Sequence, residues 1–413
     1  MTTILLLATI DTKGEEAFYL RDRIKDLGGS PVIMDVSMRP ADRLYEVDIS
    51  ASQVAKAAGS SFEAVACSRE MTANMRIMGD GARTLLHRMI EDKSIDAVIG
   101  MGGCTGTLVI TAALQSLPFG LAKVMVSSAA AQPGLANQFF RTSDILLFHS
   151  VIELAGLSEP VKSVLDRAAR CVCAMAQSVR PASPFGREKS IALTMMSPCE
   201  ATSRRVRTAL EAEGYRVVGF HADGTGDRAM EEMIAAGVFQ GVIDLAPGAV
   251  GEHLYGYMRD AGPDRLESAG RRGIPQIIST CGVNHATPSR SKSPAEFLTR
   301  RRFDLDRFRT WLRMTPDELE QVAEAFAEKL NRSKGPVKVI VPARGWSSVD
   351  APGSPTYDPS GDAVFVAALR DMLKEEIAIV EVNANMEDTQ FADAVTASAL
   401  AMFRQWEDAK DHL

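Results

Sequence analysis

The sequence predicts an α/β protein built as two doubly wound, Rossmann-like domains with mainly parallel sheets and an interdomain cleft. Three observations carry that expectation. Short apolar runs alternate with segments of helical period along most of the chain, the grammar of parallel strands joined by crossover helices. The alternation breaks once, at "VRPASPFGRE" (179–188), whose two prolines, glycine and polar residues mark a linker. Each half then opens in the same way, with an apolar strand followed by a helix-start signal. The expected domains are residues 1–180 and 188–413.

In the first half the expected strands are Ile4–Ile10, Pro31–Val36, Ile95–Ile99, Ala122–Val126 and Asp144–Phe148. A helix over 12–27 carries Ala17, Leu20, Ile24 and Leu27 at helical spacing and stops at Gly28-Gly29. Helices are also expected at 105–116 and 158–179. After the linker come strands at Ser190–Met195, Arg216–His221, Gly241–Leu245, Pro275–Ser279, Val337–Val341 and Ile377–Val382. Helices are expected at about 198–213, 227–236 and 362–374, with a last one ending near 408. Thr12-Lys13-Gly14-Glu15 and Ser197-Pro198-Cys199-Glu200 both fit a capping box.

Composition narrows the function classes. A net charge of −7 argues against nucleic acid as the main partner. The arginines at 300, 301, 302, 307 and 309 are interrupted by Asp304 and Asp306 and read as a solvated or interdomain surface. No apolar run approaches membrane-spanning length, and Asp11 ends the first one too early for a signal peptide. The six cysteines form no Cys-x-x-Cys pair, so reduced thiols and a cytoplasmic location are expected.

The most informative stretch is "GMGGCTGTLVITAAL" (100–114), a glycine-rich turn between a strand and a helix. Glycines let backbone N–H groups face an anion, and the helix adds its positive end. The turn has no lysine of its own, so it is not a P-loop. In an open α/β sheet the loop after the first strand ends beside it, and Lys13 there supplies the missing cation. Phosphate contacts are therefore expected from Lys13 and the 102–107 amides, with hydroxyls from Thr105 and Thr107. Asp11 is a candidate for holding Mg²⁺ through water, and Asp35 for accepting from a ribose hydroxyl. The other reading is a tight turn with Lys13 solvated.

In the second half, Gly224-Thr225-Gly226 resembles an anion nest, but Asp223 and Asp227 flank it and repel phosphate; Asp227 can instead complement the helix dipole. His149, His221, His253 and His285 fit no metal spacing. His221, at a strand end, is the best acid/base candidate. The Pro/Gly-rich loop at 342–362 offers Arg344, Ser347, Ser348 and Asp350 to a ligand, or is a rigid connector. The catalytic candidates are thus His221, Arg344 and Asp350.

Several segments in order resemble one family, the ATP-binding family that includes the tomato mosaic virus resistance protein. They are "ATIDTKGEE" (8–16), "GMGGCTGTLVITAAL", "KVMVSS" (123–128), "TSDILLFHSVIELAGL" (142–157), "GFHADGTGDRAMEE" (219–232) and "DAPGSPTYDPSGDAVFVAALR" (350–370). The resemblance implies ATP in the N-terminal domain, two Rossmann-like subdomains and a homodimer. Its nucleotide contacts would fall on Asp11, Thr12, Lys13, Gly102, Gly103, Thr105, Gly106 and Thr107. The chain departs from the family pattern at Asp227, in "STCGVNHATP" (279–288) and in "VNANMEDTQFA" (382–392). The function expected from residues and resemblance together is an ATP- and Mg²⁺-dependent enzyme acting on a small metabolite in the cleft. The alternatives are a nucleotide-sensing binding protein without turnover, and a hydrolase or lyase for a phosphorylated or carboxylate substrate. Second-substrate specificity is expected in the second domain, around Asp223, Asp227, His221, His285 and Arg344.

Overall fold

The computed structural model describes residues 1–40, 45–178, 189–289, 297 and 299–411. The chain divides into two compact units at residue 184. The linker expected at 179–188 lies outside the described residues.

The first unit runs β1 (Thr3–Ala8), α1 (Ile10–Asp26), β2 (Ser30–Asp35), α2 (Ala51–Ala57), α3 (Phe62–Cys67), α4 (Met71–Glu91), β3 (Ala97–Gly102), α5 (Cys104–Leu114), β4 (Ala122–Ser127), α6 (Ala136–Phe140), β5 (Leu146–His149) and α7 (Glu159–Gln177). Its sheet is all parallel, in the order β2-β1-β3-β4-β5. The central strands are buried on both faces, which is why they read as unbroken apolar runs rather than as alternation. One face packs Leu6, Ile99 and Val124 against Leu20 of α1 and Leu165 of α7. The other packs Leu5, Val98 and Met125 against Leu86 of α4 and Ile110 of α5.

The second unit runs β6 (Ser190–Met195), α8 (Glu200–Ala212), β7 (Arg216–His221), α9 (Thr225–Ala235), β8 (Gly241–Asp244), α10 (Ala249–Tyr255), α11 (Ser268–Arg272), β9 (Gln276–Ile278), β10 (His285–Ala286), β11 (Arg302–Asp304), β12 (Thr310–Arg313), α12 (Pro316–Leu330), β13 (Val337–Pro342), α13 (Pro359–Met372), β14 (Ala378–Val382) and α14 (Thr389–Asp411). The main sheet is parallel, in the order β14-β13-β9-β8-β6-β7. A small antiparallel sheet, β10-β12-β11, is inserted between β9 and β13. Its strands are two to four residues long, too short for any periodicity to register in sequence.

Both expected capping boxes are corrected. The first strand stops at Ala8, and α1 starts at Ile10 with no side-chain cap. Lys13 then breaks its first turn (φ −132°, ψ 24°), and the Thr12 hydroxyl lies 3.1 Å from that of Thr9 instead of capping. At the second position Ser197–Cys199 forms a 3₁₀ turn with no side-chain cap ahead of α8. In both places the strand-to-helix loop carries a tight turn that a local capping pattern does not encode.

Asp227 sits in the first turn of α9 and caps it, as the helix-dipole reading expects, but it is withdrawn from the expected second-substrate group. It is fully buried: one oxygen accepts from the Gly224 N–H (2.7 Å) and the other from Arg265 Nε (2.9 Å). Asp223 takes the Gly226 N–H (2.8 Å), so the apparent anion nest is filled by the segment's own carboxylates. Gly224 sits at φ +94°, and a Cβ there would meet the Arg259 carbonyl carbon at 2.8 Å, so only glycine fits. Arg265, with no exposed surface, also binds Asp244 and Glu231, which joins α9, β8 and the segment before α11. Burial raises the Asp227 and Glu231 carboxyls, and Arg265 opposes that rise. Removing one member of a buried ion cluster typically costs about 3–5 kcal/mol. Arg265→Leu strands three carboxylates and is expected to lower stability by at least that much at neutral pH. The loss should shrink on mild acidification, because carboxyls with raised native pKa values take up protons and shed the penalty. Urea unfolding with an unchanged midpoint at pH 7 would contradict this account.

Candidate functional site

In the first unit the chain winds outward from β1 to β2 and then the opposite way from β3 to β5. A ligand crevice in such a sheet lies beyond the carboxyl ends of the strands where the winding reverses, here between β1 and β3. The segment Thr9–Lys13 and the turn Gly102–Gly106 both end there. They are in contact: a Cβ added at Gly106 would lie 3.5 Å from Thr9 Cγ2. One at Gly102 would press on Gly106 Cα at 3.1 Å, so the tight turn needs glycine there. Gly103 differs. Its φ is an ordinary −77°, and a Cβ there would meet only Ser128 Oγ, at 3.9 Å. Open space therefore faces its backbone.

Gly103 is the N-cap of α5 and has no side chain to cap with; the first helical bond runs from the Thr107 N–H to the Gly103 carbonyl (2.9 Å). The amides of Cys104, Thr105 and Gly106 precede that bond and face the crevice end of the helix. Thr105 is half-buried, but Thr107 is wholly buried. The Thr107 hydroxyl bonds the Gly103 carbonyl and Ser127 Oγ, each at 2.7 Å, so it braces the turn from below and has no path to a ligand.

Lys13 reaches into this crevice already paired. Its ammonium binds Glu153 Oε1 (3.0 Å) and the Leu154 carbonyl. The other oxygen of Glu153 accepts from Ser128 Oγ (3.1 Å), whose own amide lies 3.4 Å from the Gly102 carbonyl. Lys13 holds the Glu153 carboxyl below its usual range, although that side chain is 61% exposed. Glu153 belongs to a quoted motif, but nothing in the sequence singles it out. The loop that presents it holds Val151 at φ +66° and 78% exposed, a left-handed conformation that a β-branched residue adopts only under strain. Asp11 is half-buried, with its pKa raised by desolvation, and its amide donates to Ser37 Oγ (2.9 Å). Asp35 is buried, and one oxygen takes the Ser37 amide (2.9 Å) and hydroxyl and the Ile10 amide (3.3 Å). It ties β2 to the loop after β1.

The catalytic candidates do not assemble into one group. His221 is exposed at the end of the edge strand β7, and no hydrogen bond joins it to Arg344 or Asp350 among the described residues. Arg344 is exposed and donates to Asn383 Oδ1 (2.8 Å). Asp350 is fully buried, where it accepts from Asn284 Nδ2 (2.7 Å) and the Trp346 amide (3.0 Å) and pairs with Arg313 (3.4 Å).

Around Asp350 the structure gathers polar residues that the sequence left unmarked. Asn284 bridges Asp350 and Asp362, and Arg313 binds both carboxylates. Desolvation, together with the Asp350 charge, pushes Asp362 up to about 7 against the pull of Arg313. Asp362 also borders a cavity of about 220 Å³ between β13 and α13. His285 is buried, and its pKa is held well below the usual value, first by desolvation and then by the charges of Arg313 and Arg259. Cys281 is buried too; contact with the Cys199 thiol, then burial, holds it protonated. The sequence signals for this region were the Pro/Gly-rich loop that carries Asp350 and the departure of "STCGVNHATP", with His285, from the family pattern; neither singles out Asn284, Arg313 or Asp362.

The fold and the first crevice define a two-unit α/β protein with Rossmann-like sheets, each with a mouth at the carboxyl end of its strands. More particularly, the chain belongs to the family described as "Uncharacterised protein family (UPF0261)". The N-terminal domain of that family matches residues 2–181, and its C-terminal domain matches 188–403. A UPF0261 protein of Clostridium tetani is 30% identical, over 97% of this chain and 99% of that protein. One of Rhizobium meliloti is 33% identical, over 96% and 98% respectively. The ToMV resistance protein Tm-1(GCR237) of Solanum lycopersicum is 29% identical over 78% of this chain, which spans 44% of that longer protein. Among solved structures, the UDP-GlcNAc 2-epimerase of Neisseria meningitidis aligns over 67% of this chain and 82% of its own, with 11% identity and a TM-score of 0.22. That likeness is too slight to carry an argument. Among the described residues no helix is long and apolar enough to cross a membrane.

The raised Asp362 carboxyl has a pH consequence. Its native pKa lies above the unfolded value, so the native state holds the proton longer, and this group erodes stability as pH rises from about 4 to 7. Asp362→Asn is expected to flatten that part of the stability profile. Equal slopes in the two proteins, followed by urea midpoints at successive pH values, would contradict the assignment.

Proposed function

We propose that the first unit binds the phosphates of a nucleotide, ATP with Mg²⁺, and that the protein is an ATP-dependent enzyme acting on a small metabolite. One observation carries this reading: the Gly102–Gly106 turn and the loop holding Lys13 meet at the β1/β3 reversal, with open space over the Gly103 backbone. The helix amides would donate to phosphate oxygens, and Lys13 would supply the cation that the turn lacks. Lys13 would have to exchange Glu153 for phosphate. That exchange is cheap, because the pair is open to water on its carboxylate side. Asp11, whose carboxyl is half-buried at the same mouth, is the residue that would hold Mg²⁺ through water. Thr107 contributes only by bracing the turn.

Titration calorimetry with Mg–ATP tests the reading. Lys13→Ala should weaken binding at least tenfold, since a charge-assisted contact contributes about 1.5–3 kcal/mol. Gly103→Val should abolish binding and keep the fold: its backbone angle suits any residue, and its Cβ has room, but the side chain would cover the amides. Normal ATP affinity in both folded variants would reduce the turn to a structural element. Phosphate release stimulated by members of a metabolite panel would support the enzyme, whereas tight binding without release under any of them would leave a nucleotide sensor.

A further inference from the structure

The cavity of about 220 Å³ beside α13 is not used by the nucleotide reading. Its lining is mostly apolar: the end of β13 (Val341, Pro342), Trp346, and Val366 and Ala367 of α13. A cavity of about 150 Å³ admits benzene, so this one has room for roughly eight non-hydrogen atoms. At its edge Arg370 of α13 pairs with Glu381 of β14 at 2.6 Å, and both side chains are about half exposed, so a ligand has a path from water.

One polar group in this lining is only half satisfied. Asp362 Oδ1 accepts from both Asn284 Nδ2 (2.8 Å) and Arg313 Nη2, whereas Oδ2 makes no hydrogen bond among the described residues. The side chain is nine-tenths buried and borders the cavity, which is where Oδ2 keeps its surface. Buried polar atoms are nearly always partnered, so the free oxygen marks a position that a donor from outside can fill. The charges decide which donor. Asp350, from the loop after β13, and Asp362 share one guanidinium, that of Arg313 on β12, and Asn284 donates to the same two carboxyls. Arg370 is balanced by Glu381, and Asp358 is turned to Ser360 and the Gly361 amide. With both buried carboxyls ionised, the group is one positive charge short. A proton can make that up, which agrees with burial and the Asp350 charge lifting Asp362 to about 7.

We propose that this cavity binds a small organic amine as its ammonium ion, which donates to Asp362 Oδ2 while a short apolar body lies against Pro342, Trp346 and Val366. The ammonium takes the place of the proton on Asp362, and the bonds of Arg313 and Asn284 stay as they are. An anion is disfavoured by the same two carboxylates. The site lies wholly within the second unit and does not depend on nucleotide binding in the first.

Titration calorimetry of the full chain tests this with benzylamine and isobutylamine, with benzyl alcohol as the neutral isostere and benzoate as the anion. At least one amine should bind saturably near neutral pH, and more tightly than either control. Binding should release protons to the buffer at about pH 7, because the ammonium lowers the pKa of Asp362, and the release should fall between about pH 7 and 8 as that carboxyl ionises on its own. Asp362→Asn should weaken binding at least tenfold and abolish the proton release. Ala367→Leu, at an exposed helical position that tolerates leucine, should keep the fold and block the apolar body. Lys13→Ala should leave amine binding unchanged, which separates this site from the one in the first unit. No saturable binding of either amine, equal affinity for benzyl alcohol, unchanged affinity in folded Asp362→Asn or Ala367→Leu, no proton release near pH 7, or loss of binding in Lys13→Ala would each overturn the proposal.

Discussion

Right-handed crossover is the constraint on which the rest of this molecule depends. A strand that returns through a helix to a parallel neighbour must do so with one hand. A sheet that is to be covered on both faces must then reverse its winding once. In the first unit that reversal falls between β1 and β3, and in the second between β6 and β8. At each reversal the following helices leave on opposite faces, so the loops at the carboxyl ends of the strands meet there. The chemistry-bearing side chains are found at these ends.

The two mouths are finished in different ways. The first is built from backbone: Gly102 and Gly106 allow β3 and the loop after β1 to touch, and Lys13, itself mostly buried, pairs with the exposed Glu153. The second is built from buried side chains. Arg265 knots α9 to β8, Arg259 is locked by Glu252, and Arg313 holds Asp350 and Asp362. Such clusters stabilise little for their desolvation cost, but breaking one is expensive, so they fix the strand ends in place. A surface pair can exchange partners with a ligand, whereas a buried triad cannot.

What was legible in the sequence follows the same division. The parallel sheets could be read because strands buried on both faces leave continuous apolar runs, as at Ile4–Leu7 and Ala97–Ile99. The glycine turn could be read because strand, glycines and helix are contiguous. Asp227 misled because its partner, Arg265, lies far along the chain and burial is not written locally. Glu153, Arg259, Asn284 and Asp362 were missed for the same reason. Each matters through a contact made across the fold, and β10–β12, which carry several of these partners, are too short to show a period.

The account's central claim is that the nucleotide enters at the winding reversal of the first unit. The most direct test is a crystal structure of the full chain grown with Mg²⁺ and a non-hydrolysable ATP analogue. The account predicts phosphate density over Gly103, within hydrogen-bond distance of the amides of Thr105 and Gly106, with Lys13 turned from Glu153 toward it. Nucleotide density away from the carboxyl ends of β1 and β3, with the Lys13–Glu153 pair intact, would contradict it.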